Sequence, residues 1–115
     1  MPGTDPEPSW RITLAGPAVR DLREILRWTA GRFGRLQADR YGAAVEAGLL
    51  RLRHGPDVAG ATKVGPAHPG LLRLRMGARH RHSFYLRVAG PHRLEVLRIL
   101  HDSMDPDRHL PEAPD

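Results

Sequence analysis

The sequence predicts an α+β fold of order β-α-α-β-β-β, with a helix hairpin packed on one face of a small, mainly antiparallel sheet. Three observations predict it. Apolar residues alternate near the start, then recur at three- and four-residue spacing through the first half, then alternate again toward the end. Only a few residues separate the two helical stretches, which makes them an antiparallel pair. Finally, Leu94 to Leu100 is an almost unbroken apolar run, the signature of a strand covered on both faces and therefore central in its sheet.

Residues 1–9 hold too many prolines and too few apolar groups to pack, and read as a disordered leader. Trp10, Ile12 and Leu14 alternate with polar neighbours as a short half-buried strand. Pro17 suits the first turn of the helix that follows. From Ala18 to about Arg32, Leu22, Ile25, Leu26, Thr29 and Phe33 mark the inner face. Arg20, Asp21, Arg23, Glu24 and Arg27 take the other side. Gly34 is placed to end this helix. The second helix runs from about Leu36 to Arg53, with Tyr41, Ala44, Val45, Gly48, Leu49 and Leu52 inward. Gly42 and Gly48 each weaken it by ~1 kcal/mol relative to alanine, and close approach to the first helix is the expected compensation.

Residues 57–70 show no periodicity and read as a long loop. Leu72, Leu74 and Met76 then alternate with Arg73 and Arg75. His82, Phe84, Leu86 and Val88 alternate with Arg81, Ser83, Tyr85 and Arg87. After a turn at 89–92 the apolar run begins, completing a three-stranded meander. The opening strand is expected to run antiparallel to the first and last strands of that meander. Residues 106–110 suit one helical turn, and 111–115 a frayed end. The expected core is Leu22, Ile25, Leu26, Tyr41, Val45, Leu52, Leu74, Phe84, Leu86, Val96 and Leu97. A single domain spans 10–110.

Composition narrows the function. The chain has 115 residues and no cysteine, so it has neither disulfides nor a thiolate metal site. There is no apolar run of membrane-spanning length and no secretory signal, which makes the cytoplasm the default. Outside the terminal tails, 18 basic residues face nine acidic ones, a net of +9. Such a body attracts nucleic acid or an acidic protein. The abundance of Arg, Gly, Ala and Pro, with one lysine and no asparagine, is also what a GC-rich genome produces. Placement speaks for function: between Leu71 and Arg98 there are seven arginines and one acid, Glu95.

The candidate binding residues lie on the outward side of the meander and at its ends. Arg73, Arg75, Arg81, Tyr85 and Arg87 share that side, with Arg79 and His80 at the turn. Arginines around an aromatic ring suit phosphates, stacked bases or carboxylates, and also suit a plain solvated sheet face. Arg98 interrupts the apolar run on the side of Leu94, Val96 and Leu100. It must find a carboxylate, backbone carbonyls or an open cleft. His101, Asp102 and Asp105 follow the strand directly, and Asp105 is a candidate partner for Arg98. His80-x-His82 lacks a third metal ligand, and His82 reads as a core-edge histidine. His101, Asp105 and His109 are spaced four apart, but Pro106 disfavours the helix that would join them. No metal or cofactor is expected.

The ordered set AVRDLREILRW, ADRYGAAV, LRHGPDVAG, GLLRLR, HRHSFYLRV and VLRILHDSMD, over about residues 10 to 110, resembles ParE-type toxins. These belong to the ParE/RelE toxin superfamily of bacterial toxin–antitoxin pairs. The resemblance implies the same fold as the residue pattern. It implies a toxin that binds and poisons DNA gyrase, is neutralised by a cognate antitoxin whose C-terminal segment wraps it, and is no enzyme. The alternative within the superfamily is a RelE-like endoribonuclease acting on ribosome-bound mRNA, where a tyrosine near the C-terminus belongs to the catalytic set. Here the only tyrosines are Tyr41 and Tyr85, and the tail is the HDSMD form, which favours the ParE type. On this resemblance Arg73, Arg75, Arg79, His80, Arg81, Tyr85, Arg87, Arg98 and His101 are candidates for contact with target or antitoxin, and none is assigned a catalytic role.

Overall fold

The structure, a computed structural model, describes residues 9–77 and 79–111. The expected leader and frayed end lie, apart from Ser9 and Pro111, outside the described residues. The elements are β1 (Arg11–Leu14), α1 (Gly16–Phe33), α2 (Arg35–Leu52), β2 (Ala61–Lys63), β3 (Leu71–Arg75), β4 (His82–Gly90), β5 (Arg93–His101) and a 3₁₀ turn (Pro106–Arg108). One residue, Gly34, joins the two 18-residue helices. Its φ of 91° lies where glycine is favoured, and its N–H closes the end of α1 on the Ala30 carbonyl.

The five strands form one sheet in the order β1-β5-β4-β3-β2, so β5 is central as expected. The meander is antiparallel throughout, but β1 pairs with β5 in parallel, Arg11 opposite Arg93 through Leu14 opposite Val96. This corrects the expected direction of the opening strand. The reason is the path of the helices. The Ala15 N–H bonds the Val96 carbonyl, and Asp21 lies against Ile99, so α1 continues in the direction of β1 along β5. Then α2 returns: Tyr41 packs on His82, Gly48 faces Phe84, and Gly55 ends against Trp10. A hairpin that starts without a reversal brings the chain back to where β1 began. The next long strand must therefore run parallel to β1.

The stretch 57–70 is not all loop. Ala61–Lys63 pairs antiparallel with Leu72–Leu74 as the edge strand β2. Three residues, mostly exposed, are too few to show alternation.

The helix-side core joins Ala18, Tyr41, Val45 and Leu52 to Leu74, Met76, Phe84, Leu86, Leu94, Val96 and Ile99. Leu22, Ile25 and Leu26 pack against it from α1. The opposite sheet face has its own cluster of Leu71, Tyr85, Leu100 and Leu110, flanked by Val64 and Leu97. A bulge decides how the end of β5 is divided between the two faces. Tyr85 pairs with Arg98 and Leu86 with Val96, which leaves Leu97 as the extra residue. Beyond it the alternation slips by one. Ile99 joins the helix side, and Leu100 goes to the opposite face rather than following Leu94 and Val96. The 3₁₀ turn then brings Leu110 onto that face. His68 holds the segment there, its Nδ1 donating to the Pro111 carbonyl (3.1 Å) and its Nε2 meeting Asp107 Oδ1 (2.8 Å).

Candidate binding surface

Arg98 is held by partners within the chain. Its Nε and Nη2 donate to the two carboxylate oxygens of Asp21 at 2.7 and 2.8 Å, and its Nη1 reaches the His109 carbonyl at 3.3 Å. Asp21 also accepts the Ile99 N–H at 2.9 Å. The partner is thus Asp21 of α1, not Asp105, and Asp21 faces the sheet edge rather than solvent. Asp105 instead accepts the Asp107 N–H at 3.0 Å and starts the 3₁₀ turn. The Arg98 guanidinium is held above its already high ordinary value, chiefly by the hydrogen bonds to Asp21.

Tyr85 is buried beneath Leu110 and Leu97, so it presents no ring for stacking. Alternation placed it correctly opposite Phe84, but the tail covers that face. Burial pushes its hydroxyl above the ordinary tyrosine value, against the pull of Arg73. Arg87 pairs with Glu95 at 2.9 Å, and Arg75 with Asp102 at 3.0 Å. Arg73 donates to Ser83 Oγ at 3.3 Å and lies 4.0 Å from Asp102. These pairs are half open to water, so their strength is modest and a partner's carboxylates can compete for the same arginines. Arg79 and Arg81 are exposed at the β3–β4 turn.

The end of the sheet beneath α2 gathers polar rings. Tyr41 stands edge-on to both His80 (centroids 5.6 Å apart) and His82 (5.4 Å), and His82 stands edge-on to His101 (5.1 Å). The Ser103 N–H donates to His101 Nδ1 at 3.0 Å, leaving the proton of the neutral ring on Nε2. The buried Tyr41 hydroxyl has no partner among the described residues. Burial raises its pKa, helped by the charge of Asp21. His82 is pushed below the ordinary histidine value, first by burial and then by His101 and His80, against the pull of Asp102 and Asp21. His101, Asp105 and His109 do not converge. Among the described residues no three His, Asp or Glu side chains are placed to hold a metal ion.

His82 carries a pH consequence. A histidine whose folded pKa is depressed binds its proton more readily when unfolded. Its contribution is complete above the unfolded value of about 6.5 and is lost as pH falls below that toward the folded value. Wild type should lose more stability than His82→Gln between pH 7.5 and 5.5, measured by urea unfolding. Parallel pH profiles for the two proteins would refute this.

Together these residues make a basic rim around a two-faced sheet. The comparisons give it a family. A family model for the ParE toxin of the type II toxin-antitoxin system parDE matches residues 12–106. The chain is 36% identical over 107 residues to Toxin ParE1 of Mycobacterium tuberculosis, spanning 89% of this chain and 99% of that protein. It is 38% identical over 94 residues to Toxin ParE of Escherichia coli, spanning 80% and 84%. A solved chain from the chromosomal ParDE TA system of P. aeruginosa shares the fold, with a TM-score of 0.68 at 21% identity, covering 82% of this chain and 97% of that one. The chain belongs to the ParE toxin family of type II toxin–antitoxin systems. Among the described residues no helix is long and apolar enough to cross a membrane.

Proposed function

We propose that this toxin acts in the cytoplasm by binding and poisoning DNA gyrase, without cleaving anything itself, and that a cognate antitoxin neutralises it. One observation carries the choice of binding over cleavage. At the open edge of β5 Arg98 is locked to Asp21 of α1, and on the sheet face opposite the helices Tyr85 is packed under Leu110. Cleavage of a phosphodiester needs a base and free cations converging on one phosphate. Arg98 and Tyr85 are already used to hold the fold. A supercoiling assay with purified gyrase, run beside an RNA-cleavage assay on translating ribosomes, tests the reading. Inhibited supercoiling with intact mRNA is the expected result, and cleaved mRNA with normal supercoiling overturns it.

The antitoxin segment is expected to be acidic and to use both an exposed strand edge and a groove. Both β1 and β2 are edge strands. Beside β1 lies a cleft of about 650 Å³ whose lining includes the apolar Trp10, Ile12, Leu14, Leu49 and Leu50 and the charged Arg11, Arg53 and Glu46, two bases to one acid. Leucine-type anchors in the cleft would supply most of the affinity, and arginine–carboxylate pairs the steering. The association rate should therefore fall steeply between low and physiological salt, and the dissociation rate should change much less. A salt-insensitive association rate would remove the arginines from the docking face and leave codon usage as their explanation.

A further inference from the structure

Three large apolar side chains stand exposed around the turn of the helix hairpin. Trp28 and Phe33 are each 60% exposed and Leu36 is 63% exposed. The Phe33 and Trp28 rings meet edge to face, with centroids 5.6 Å apart. Helical spacing assigned Phe33 to the inner face of α1, and the structure shows why it is not there. Tyr41 is already level with His82, where β4 begins, and that residue pairs with His101, where β5 ends. Leu36 lies five residues earlier, about 7.5 Å farther out at the rise of an α-helix. The hairpin overhangs the sheet, so Phe33 and Leu36 at its tip have no strand to pack against, and Trp28, about 9 Å back from the turn along α1, leans on Phe33 instead. The tip is also basic. Residues 25–38 contain Arg27, Arg32 and Arg35 and no acidic residue, with Glu24 and Asp39 directly flanking the stretch.

We infer that this overhanging tip docks into a folded protein offering an apolar socket rimmed by carboxylates, and that this protein is the toxin's target rather than its antitoxin. A tryptophan and a phenylalanine in a stretch with three arginines match the aromatic- and arginine-rich composition of protein interfaces, and tryptophan and arginine dominate their energetic centres. The tip is convex and stiff, two helices joined by one residue, so its complement is concave. A second copy of the chain is a poor occupant, because two convex tips offer each other no socket and the three arginines of each outnumber the two flanking acids, Glu24 and Asp39. Nucleic acid is a poorer one. Leu36, the most exposed of the three, offers neither a stacking face nor a charge, and the two rings cover part of each other. The antitoxin has the cleft beside β1, and Leu50 at that cleft is 14 residues along α2 from Leu36, about 21 Å.

The inference rests on the binding-toxin reading, and the test separates the two. Purified full-length Trp28→Ala, Phe33→Ala and Leu36→Ala proteins are compared with wild type for urea unfolding, for affinity to purified gyrase and for growth arrest on expression. The side chains are exposed, so the unfolding midpoints should coincide, and if one variant is unstable the other two still decide. Trp28→Ala should bind gyrase ~30-fold more weakly and lose growth arrest. Unchanged gyrase affinity in all stable variants overturns the inference. If wild type does not bind gyrase, the gyrase reading falls and growth arrest judges the tip alone. Arrest lost in the variants keeps the tip as the target dock, and arrest retained overturns it. Loss of binding to duplex DNA or phosphatidylglycerol vesicles, with gyrase affinity intact, also overturns it.

Discussion

Replacing Asp21 with alanine is expected to cost about 3 kcal/mol of folding stability, the low end of what breaking a buried ion pair costs. The low end applies because the pair is not sealed: the Asp21 side chain is 12% exposed and that of Arg98 24%. The carboxylate stands in for a missing strand. The β1 ladder on β5 ends at Leu14 opposite Val96, so the edge of β5 is open beyond that point. Asp21 fills the gap by accepting the Ile99 N–H as well as both nitrogens of the Arg98 fork. Alanine would strand a guanidinium and a backbone donor together. Arg98→Leu should cost less. It removes the charge that needs a partner, keeps the Ile99 hydrogen bond, and adds apolar surface beside Leu97 and Leu100. Asp21→Asn should fall between them. The test is the urea midpoint of each variant, and Asp21→Ala proving no less stable than Arg98→Leu would sink the argument.

The same pair shows what the sequence could and could not tell. An arginine in a dry strand demands a partner, so the need was legible from Arg98 alone. The partner was not, because a helical wheel puts Asp21 among the arginines of the polar side. It becomes an inner residue only once α1 is known to run along the open edge of β5. Tyr85 is a similar case. Alternation separates it from Phe84 and Leu86, but the closing of its face by Leu110 depends on a 3₁₀ turn more than 20 residues later. Phe33 has sound helical spacing and still points to water, because periodicity does not say where the sheet stops. The direction of β1 depends on which way α1 leaves it, a fact about tertiary path that no local pattern carries. By contrast, Phe84, Leu86, Leu94 and Val96 were legible, since each fully buried side chain lies on the face that its alternation assigns.

Gly48→Ala should destabilise the protein by about 2 kcal/mol, although alanine is the better helix former. Sequence reasoning gave this glycine a close approach to α1, but the approach is to the sheet. A β-carbon at Gly48 would stand 2.5 Å from one ring carbon of Phe84 and 3.0 Å from the next. Phe84 is fully buried near the start of β4, in an interior that packs as densely as an organic crystal. Relieving the clash means lifting α2 off the strand, and overpacking of this kind costs ~3 kcal/mol at its upper end, against a gain of ~1 kcal/mol in helix propensity. Gly42, in the same helix, provides the control. A β-carbon there meets nothing within 4 Å, so Gly42→Ala should keep the gain and stabilise the protein by up to ~1 kcal/mol. Urea unfolding of the two variants should therefore move the midpoint in opposite directions. If both move it upward, α2 does not rest on Phe84 at Gly48, and the close contact between helix and sheet is wrong.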